Sequence, residues 1–207
     1  MKLKVCGLKN RENIIDVLEY KPDFIGFVFY EKSPRYIGEE LKSSFVQNIS
    51  ISKKVGVFVN ESEIKMLDIA SRYGLDYLQL HGTETAEFCK QVQKSIPVIK
   101  AFQIDDDFDF STLKEYEGAC TYFLFDSKSK QYGGSGKMFN WKKLKEYKLD
   151  KPFFLSGGID LDNVEQALLF KSKIPTLYAV DVNSRFETEP GIKDVSKIKL
   201  LSNKIYK

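Results

Sequence analysis

Two side chains of this sequence are suited to moving protons, and both follow apolar segments that resemble strands. Cys6 lies at the end of the first apolar segment, one residue before Gly7, and Asp126 directly follows the apolar run at residues 121–125. A carboxyl group at such an apolar edge is partly desolvated, which favours its protonated form and suits a general acid. A cysteine acts as a base only as a thiolate, so its pKa must lie below the free value of about 8.5. Because side chains alternate along a strand, Lys4 shares a face with Cys6, and we expect its ammonium group to favour the thiolate.

The residue types alone leave simpler interpretations open. A cysteine at the end of a strand is more often a small buried hydrophobic residue, and an aspartate there often caps a turn. His81 is the only histidine, and it suits a hydrogen-bonded turn as well as a site that works near neutral pH. Cys89 falls within a helix-like segment and Cys120 at the start of a strand, so we interpret both as structural.

Glycines near the C-terminus are typical of a phosphate site. Gly157 and Gly158 follow the seventh strand-like segment, while Asp181 and Ser184 follow the eighth. Glycines let backbone N–H groups approach an anion closely, and barrel enzymes often bind phosphate after strands seven and eight. A tight turn without a ligand is the alternative.

Two other loops could serve the same site. Arg35 follows the second strand-like segment, and its planar guanidinium fits a carboxylate or a phosphate, although a surface arginine is the simpler interpretation. The glycine-rich segment 133–137 follows the sixth, and we expect a mobile lid or a surface loop there. It lacks the GxxxxGK[ST] spacing of a nucleotide-binding loop.

Eight apolar segments would bring these residues to one end of a parallel sheet. The segments lie at residues 3–7, 24–29, 54–59, 77–80, 98–102, 121–125, 153–156 and 177–180. Helix-like patterns separate most of them, among them one after Asn10 and one after Asn60, which we expect to be N-caps. This alternation predicts an α/β fold, a single-domain (β/α)8 TIM barrel spanning residues 1–207, with an open doubly wound sheet as the alternative.

Composition argues against several other classes. The net charge of +3 is too small to indicate nucleic-acid binding. Three cysteines without CxxC spacing and a single histidine argue against a disulfide framework or a zinc site, so we expect no metal. No apolar run approaches the ~18 residues of a membrane span, and no secretory signal is visible, so a cytoplasmic protein is expected.

Several segments together resemble the phosphoribosylanthranilate isomerase family along nearly the whole chain. In chain order they are KVCGL (4–8), GFVF (26–29), SPRYI (33–37), VFVN (57–60), QLHG (79–82), FD (125–126), GGSGK (133–137), LSGGI (155–159) and PGIKD (190–194). One segment departs from the family pattern. Asn183, Ser184 and Arg185 stand where the family usually has Ser-Ser-Gly.

The resemblance implies a cofactor-free Amadori rearrangement of N-(5-phosphoribosyl)anthranilate in tryptophan biosynthesis. It implies that Cys6 is the general base and Asp126 the general acid, while Arg35 holds the anthranilate carboxylate. It also implies further substrate contacts, with the phosphate or elsewhere, from His81, Gly157, Gly158, Asp181 and Ser184.

The resemblance leaves the oligomeric state open between monomer and homodimer. The nearest rival activity is the related isomerase of histidine biosynthesis, which has an aspartate where this chain has Cys6. Indole-glycerol-phosphate synthase would need a Lys and Glu set that is not seen here. A barrel that only binds a sugar phosphate is the non-catalytic alternative.

Overall fold

Eight parallel strands form a closed barrel in the computed structural model, which describes residues 1–38, 41–127 and 139–206. Each strand pairs with its neighbours in chain order, and the first strand closes the ring against the eighth. The predicted TIM barrel is therefore confirmed, and the open sheet is wrong. The strands are β1 (Lys2–Val5), β2 (Phe24–Val28), β3 (Lys53–Phe58), β4 (Tyr77–Leu80), β5 (Val98–Ile104), β6 (Tyr122–Ser127), β7 (Phe153–Leu155) and β8 (Leu177–Val182).

Helices connect most of the strands on the outside of the barrel. The α-helices are α1 (Arg11–Leu18), α2 (Ser43–Gln47), α3 (Glu63–Tyr73), α4 (Ala86–Val92), α5 (Val164–Lys173) and α6 (Val195–Ile205). The connections after β5 and β6 contain 3₁₀ helices instead, at Phe110–Tyr116 and Trp141–Glu146. A third 3₁₀ helix, Ser184–Phe186, follows β8 and leads into a short antiparallel pair, β9 (Glu187–Glu189) and β10 (Ile192–Lys193).

Polar side chains fix the loops that enter the helices. Asn10 caps α1 as predicted, because its side chain accepts the N–H of Asn13 at 2.9 Å. The prediction that Asn60 caps α3 is wrong, since Ser62 is the N-cap. Asn60 instead turns the chain with a φ of 51°, and its Oδ1 accepts the N–H of Thr83 at 2.7 Å. It therefore ties the loop after β3 to the loop after β4.

Two apolar clusters hold the barrel together. The larger cluster lies between the strands and the outer helices, and includes Ile14, Met66 and Val92 from the helices. A smaller cluster includes Phe24, Ile99, Leu124 and Phe154, with Tyr77, Tyr122 and Tyr178 packed against it. Because these residues pack densely, the barrel is a core and not a pore. Among the described residues, no helix has both the length and the apolar character that crossing a membrane requires.

Candidate active site

A cavity opens at the C-terminal ends of the strands, where the active sites of barrel enzymes lie. All eight site residues that were predicted from the sequence line it: Cys6, Arg35, His81, Asp126, Gly157, Gly158, Asp181 and Ser184. They come from the ends of six strands, so the barrel brings together residues that are far apart in the chain.

Cys6 directly follows β1, and its backbone N–H donates to the carbonyl of Val182 at 2.9 Å. The side chain is 4% exposed. Burial raises the pKa of the Cys6 thiol above its ordinary value, while the positive charges of Lys4 and Lys193 oppose this shift without cancelling it. The expectation that Lys4 favours the thiolate is thus correct in direction, but desolvation outweighs the effect.

Lys4 lies two residues before Cys6 on β1 and is fully buried. Its Nζ donates to Oδ1 of Asp181 and to Oε1 of Gln79, both at 2.9 Å. Burial alone would lower the pKa of Lys4, but Asp181 and Cys6 beside it raise that pKa above its ordinary value. Lys4 therefore carries a positive charge beneath the cavity, and Asp181 is held as its partner.

His81 connects this buried charge to Asp126. Nδ1 of His81 lies 2.8 Å from Nε2 of Gln79, and Nε2 of His81 lies 3.4 Å from Oδ2 of Asp126. This Nε2 is buried and has no hydrogen-bond partner among the described residues. The ring is 11% exposed, so its position is set by neighbours and not by solvent.

Asp126 lies near the end of β6, and its Oδ1 accepts the N–H of Ser127 at 2.8 Å. The loop after β7 passes so close that only glycine fits at position 157. An added Cβ there would lie 2.3 Å from Oγ of Ser127 and 2.9 Å from Oδ1 of Asp126. Gly157 also has a φ of 84°, which other residues rarely adopt. The glycine therefore leaves the space that Ser127 and the carboxyl group of Asp126 occupy.

Arg35 lines the cavity, and part of its guanidinium is hydrogen-bonded to Glu187. Its Nε donates to both carboxylate oxygens of Glu187, at 3.0 and 3.1 Å, and its Nη2 donates to Oε2 at 2.6 Å. Glu187 also accepts from Nζ of the buried Lys193 at 2.6 Å. Burial lowers the pKa of Lys193 to about 8, although Glu187 opposes the shift. Because Nε and Nη2 are held in this way, Nη1 is the part of the guanidinium left to face a ligand.

The loops after β7 and β8 line the cavity with Gly157, Gly158 and Ser184. Gly158 has a φ of 70°, and Ser184 begins the 3₁₀ helix after β8. Within the described part of the chain, the N–H groups of Gly157, Gly158 and Ser184 donate to no other group. Arg185, which stands in place of the family's glycine, needs no unusual backbone, because the only described non-glycine residues with positive φ are Lys21 and Asn60.

The remaining predicted features lie elsewhere. The glycine-rich segment 133–137 falls outside the described residues. Cys89 and Cys120 are both buried, and burial raises the pKa of their thiols to about 11 and about 12. Neither lines the cavity. The structural interpretation of these two cysteines agrees with this placement.

Three residues that shape the site had no role in the sequence interpretation: Gln79, Glu187 and Lys193. Gln79 lies in the QLHG segment, and alternation along β4 could have placed it on the same face as His81. Glu187 and Lys193 belong to the short pair of strands after β8, where no sequence pattern indicates that an acidic and a basic side chain are buried together.

Comparison with known proteins identifies the family. A family model described as N-(5'phosphoribosyl)anthranilate (PRA) isomerase matches residues 3–204. The N-(5'-phosphoribosyl)anthranilate isomerase of Parabacteroides distasonis is 46% identical over 203 residues, which are 96% of this chain and 90% of the relative.

Solved structures agree with the sequence relatives. A phosphoribosyl anthranilate isomerase in complex with reduced 1-(o-carboxyphenylamino)-1-deoxyribulose 5-phosphate superposes with a TM-score of 0.82 and 33% identity, covering 98% of this chain and 97% of that one. A structure described as monomers generated from the dimeric enzyme of Thermotoga maritima gives a TM-score of 0.81 and 33% identity, covering 97% and 95%. With a family match over nearly its full length and these relatives, the chain belongs to the N-(5'-phosphoribosyl)anthranilate isomerase family.

Proposed function

We propose that this chain converts N-(5'-phosphoribosyl)anthranilate to 1-(o-carboxyphenylamino)-1-deoxyribulose 5-phosphate, as an isomerase of tryptophan biosynthesis. The observation that carries the proposal is that Cys6 and Asp126 line one cavity, whose rim also carries Gly157, Gly158 and Arg35. A base, an acid and two anion-binding elements are the groups that this substrate requires, since it bears a phosphate at one end and a carboxylate at the other.

The reaction needs two proton transfers, one to the ring oxygen of the ribose and one from its C2. Asp126 donates a proton to the ring oxygen of the ribose, which breaks the bond from that oxygen to C1 and leaves an iminium ion. Cys6 then acts as the thiolate, the form that the charges of Lys4 and Lys193 favour against the effect of burial. Its Sγ removes the proton from C2, and the electron pair of that C–H bond neutralises the iminium and gives an enolamine. The enolamine tautomerises to the ketone. Each such transfer typically contributes about 10²–10⁴-fold to the rate.

The ends of the substrate are held by groups of different kinds. The backbone N–H groups of Gly157, Gly158 and Ser184 receive the phosphate, because these residues line the cavity and their N–H groups have no acceptor among the described residues. Arg35 receives the anthranilate carboxylate, with its guanidinium oriented by Glu187. Asp181 and His81 also line the cavity and supply contacts to the sugar in this proposal.

The activity is tested by forming the substrate in situ from anthranilate and phosphoribosyl pyrophosphate, and following its fluorescence after the protein is added. Cys6→Ala and Asp126→Asn should each lower the rate by at least about 10²-fold. Cys120→Ala is the matched control, because Cys120 is equally buried but lies outside the cavity. A parent protein that does not consume the substrate would refute the proposal. Parent-like rates in both site variants would refute the assigned roles.

The oligomeric state stays open between a monomer and a homodimer. One structural relative, from Thermotoga maritima, is described as dimeric, with monomers generated from it. Light scattering after size-exclusion chromatography distinguishes the two states for this chain, whose protomer mass is 23.9 kDa.

A further inference from the structure

Lys4, Gln79, His81 and Asp126 form one line of contacts between three strands. Nζ of Lys4 donates to Oε1 of Gln79 at 2.9 Å. Nε2 of Gln79 lies 2.8 Å from Nδ1 of His81, and Nε2 of His81 lies 3.4 Å from Oδ2 of Asp126. Lys4 is fully buried and Gln79 is 1% exposed, so water does not compete for the first two contacts.

The chemistry of the first group fixes the orientation of all the others. An ammonium group has donors only, so the Gln79 atom that faces Lys4 must be the carbonyl oxygen. The Gln79 atom that faces His81 is then the NH₂ group, which also has donors only. Nδ1 of His81 must therefore accept, and the proton of the neutral ring must be on Nε2, facing Asp126.

We propose that Gln79 is a positioning residue of this site, which keeps the imidazole of His81 neutral with its single proton on Nε2, the ring nitrogen that lies 3.4 Å from Oδ2 of Asp126. A second proton on Nδ1 would point at the NH₂ group of Gln79. If the amide rotated to accept that proton, its NH₂ group would point at the ammonium of Lys4. Both arrangements bring donor against donor in a buried place, so the cationic ring is opposed whichever way the amide turns.

Charged groups surround His81 on several sides, and their effects on the protonation of its ring oppose one another. Asp126 on β6 and Asp181 on β8 both favour a cationic ring. Lys4 on β1 opposes it. The buried pair of Lys100 and Glu84, 2.9 Å apart, lies beside the loop after β4. With two carboxyl groups nearby, a neutral His81 depends on the hydrogen bond from Gln79.

The loop that carries His81 is held firmly enough for this bond to persist. Glu84 accepts the N–H of Gly82 at 3.0 Å and the N–H of Asn60 at 2.8 Å. Nζ of Lys100 donates to the carbonyl of Gly82 at 2.8 Å. The backbone N–H of His81 donates to the carbonyl of Phe58 at 2.8 Å. The ring therefore has little freedom to turn away from Gln79.

The consequence for the reaction rests on the proposed function, in which Asp126 is the acid. A cationic imidazole beside Oδ2 would hold Asp126 as a carboxylate, which has no proton to give. A neutral imidazole at this position leaves the carboxyl group able to keep its proton. Gln79 thus acts on Asp126 through His81 and need not touch the substrate.

The test uses nitrogen NMR, because His81 is the only histidine in the chain and gives a single imidazole signal pair. The parent protein with ¹⁵N-labelled histidine should show a neutral ring protonated at Nε2 around neutral pH. In Gln79→Glu a carboxylate accepts from Nδ1, so the ring should show protons on both nitrogens at the same pH. A parent ring protonated at Nδ1, or an unchanged spectrum in Gln79→Glu, would overturn the proposal.

Rate measurements separate positioning from a merely structural role. Gln79→Glu should lower kcat by about 10–100-fold with a smaller change in KM. The reason is that Asp126 loses the proton it donates, while the contacts that bind the substrate remain. Gln79→Met removes the hydrogen bond from the amide but offers no acceptor for a second ring proton, so its fraction of cationic imidazole and its loss of kcat should both lie between those of the parent and Gln79→Glu. A kcat no lower in Gln79→Glu than in Gln79→Met would overturn the proposed link to Asp126.

Gln93→Glu is the control for the added charge. Gln93 is the C-cap residue that follows α4, and its Oε1 accepts from Thr121, outside the cavity. This variant should keep both the parent imidazole signals and the parent rate. If the parent protein lacked isomerase activity, the proposed function would fail while the imidazole signals still tested the role of Gln79.

Discussion

Nζ of Lys4 lies 2.9 Å from Oδ1 of Asp181, and the two residues are register partners where β1 and β8 close the barrel. Neither side chain is more than 5% exposed. The same lysine contacts Gln79 and faces Cys6, so one buried charge serves both the closure of the barrel and the electrostatics of the cavity.

Lys4→Met should raise the thiol pKa of Cys6 further, because the opposing positive charge is lost while the desolvation remains. The pH dependence of iodoacetamide alkylation, followed on the Cys6 peptide by mass spectrometry, measures this shift. The free energy of unfolding should also fall by about 3–5 kcal/mol, since Asp181 is left buried without its partner.

Lys2→Met is the matched control for Lys4→Met. Lys2 lies on the same strand, but its side chain is 51% exposed and pairs with Asp23. An alkylation profile that is identical in Lys4→Met and Lys2→Met would show that Lys4 does not act on the thiol.

Gly26→Ala should lower kcat by about 10²-fold, because a displacement of roughly 1 Å at a reacting group can cost that much. An added Cβ at position 26 would lie 2.7 Å from Sγ of Cys6 and 3.1 Å from its Cα. Steady-state kinetics measure the loss, and circular dichroism checks the fold. Gly118→Ala, where the new Cβ meets nothing within 4 Å, should behave as the parent. Equal kcat values in the two variants would contradict the close fit at Cys6.

Arg35→Lys should raise KM by about 10–100-fold with a smaller effect on kcat, because an ammonium group cannot bind Glu187 and a substrate carboxylate with the same fork of donors. The comparison of KM with kcat distinguishes this loss of binding from damage to the proton transfers. Arg72→Lys is the control, since the Arg72 side chain is 59% exposed. A kcat that falls while KM is unchanged would contradict a binding role for Arg35.

The free energy of unfolding should decrease as the pH rises above about 9, because the folded protein keeps Cys89 and Cys120 protonated. Burial raises their pKa values from 9.0 to about 11 and about 12, so only the unfolded chain releases these protons at first. In this range each thiol lowers the free energy of unfolding by about 1.4 kcal/mol per pH unit. Denaturant titrations at several pH values should show a shallower decrease in a Cys89→Ala, Cys120→Ala double variant.

Val92→Ala separates ionisation from packing in this experiment. Val92 lies on the same helix as Cys89 and is equally buried, but it has no titratable group. It should lower stability at every pH and keep the parent slope. The same slope in the double cysteine variant as in Val92→Ala would rule out the thiols as the cause.

The barrel and the rim of the cavity were predictable from the sequence for a simple reason. Parallel strands are buried on both faces, so they leave apolar runs, and the residues that follow such runs meet at one end of the barrel. Cys6, Asp126 and Asp181 could therefore be assigned to one site. Local turn chemistry was less predictable, since both Asn60 and Ser62 suit an N-cap and only the loop contact with Thr83 distinguishes them.

The sequence by itself determined which side chains lie at the rim, because strand ends are a local property of the chain. Only the tertiary structure decided what charge and orientation those side chains have. Arg35 and Glu187 are 152 positions apart, and Lys4 and Asp181 are 177 apart, yet each pair is in contact and buried. Burial and the distance between charges set the pKa of Cys6 and the orientation of Gln79 against His81. Both quantities depend on the folded structure and cannot be read from the order of residues in the sequence.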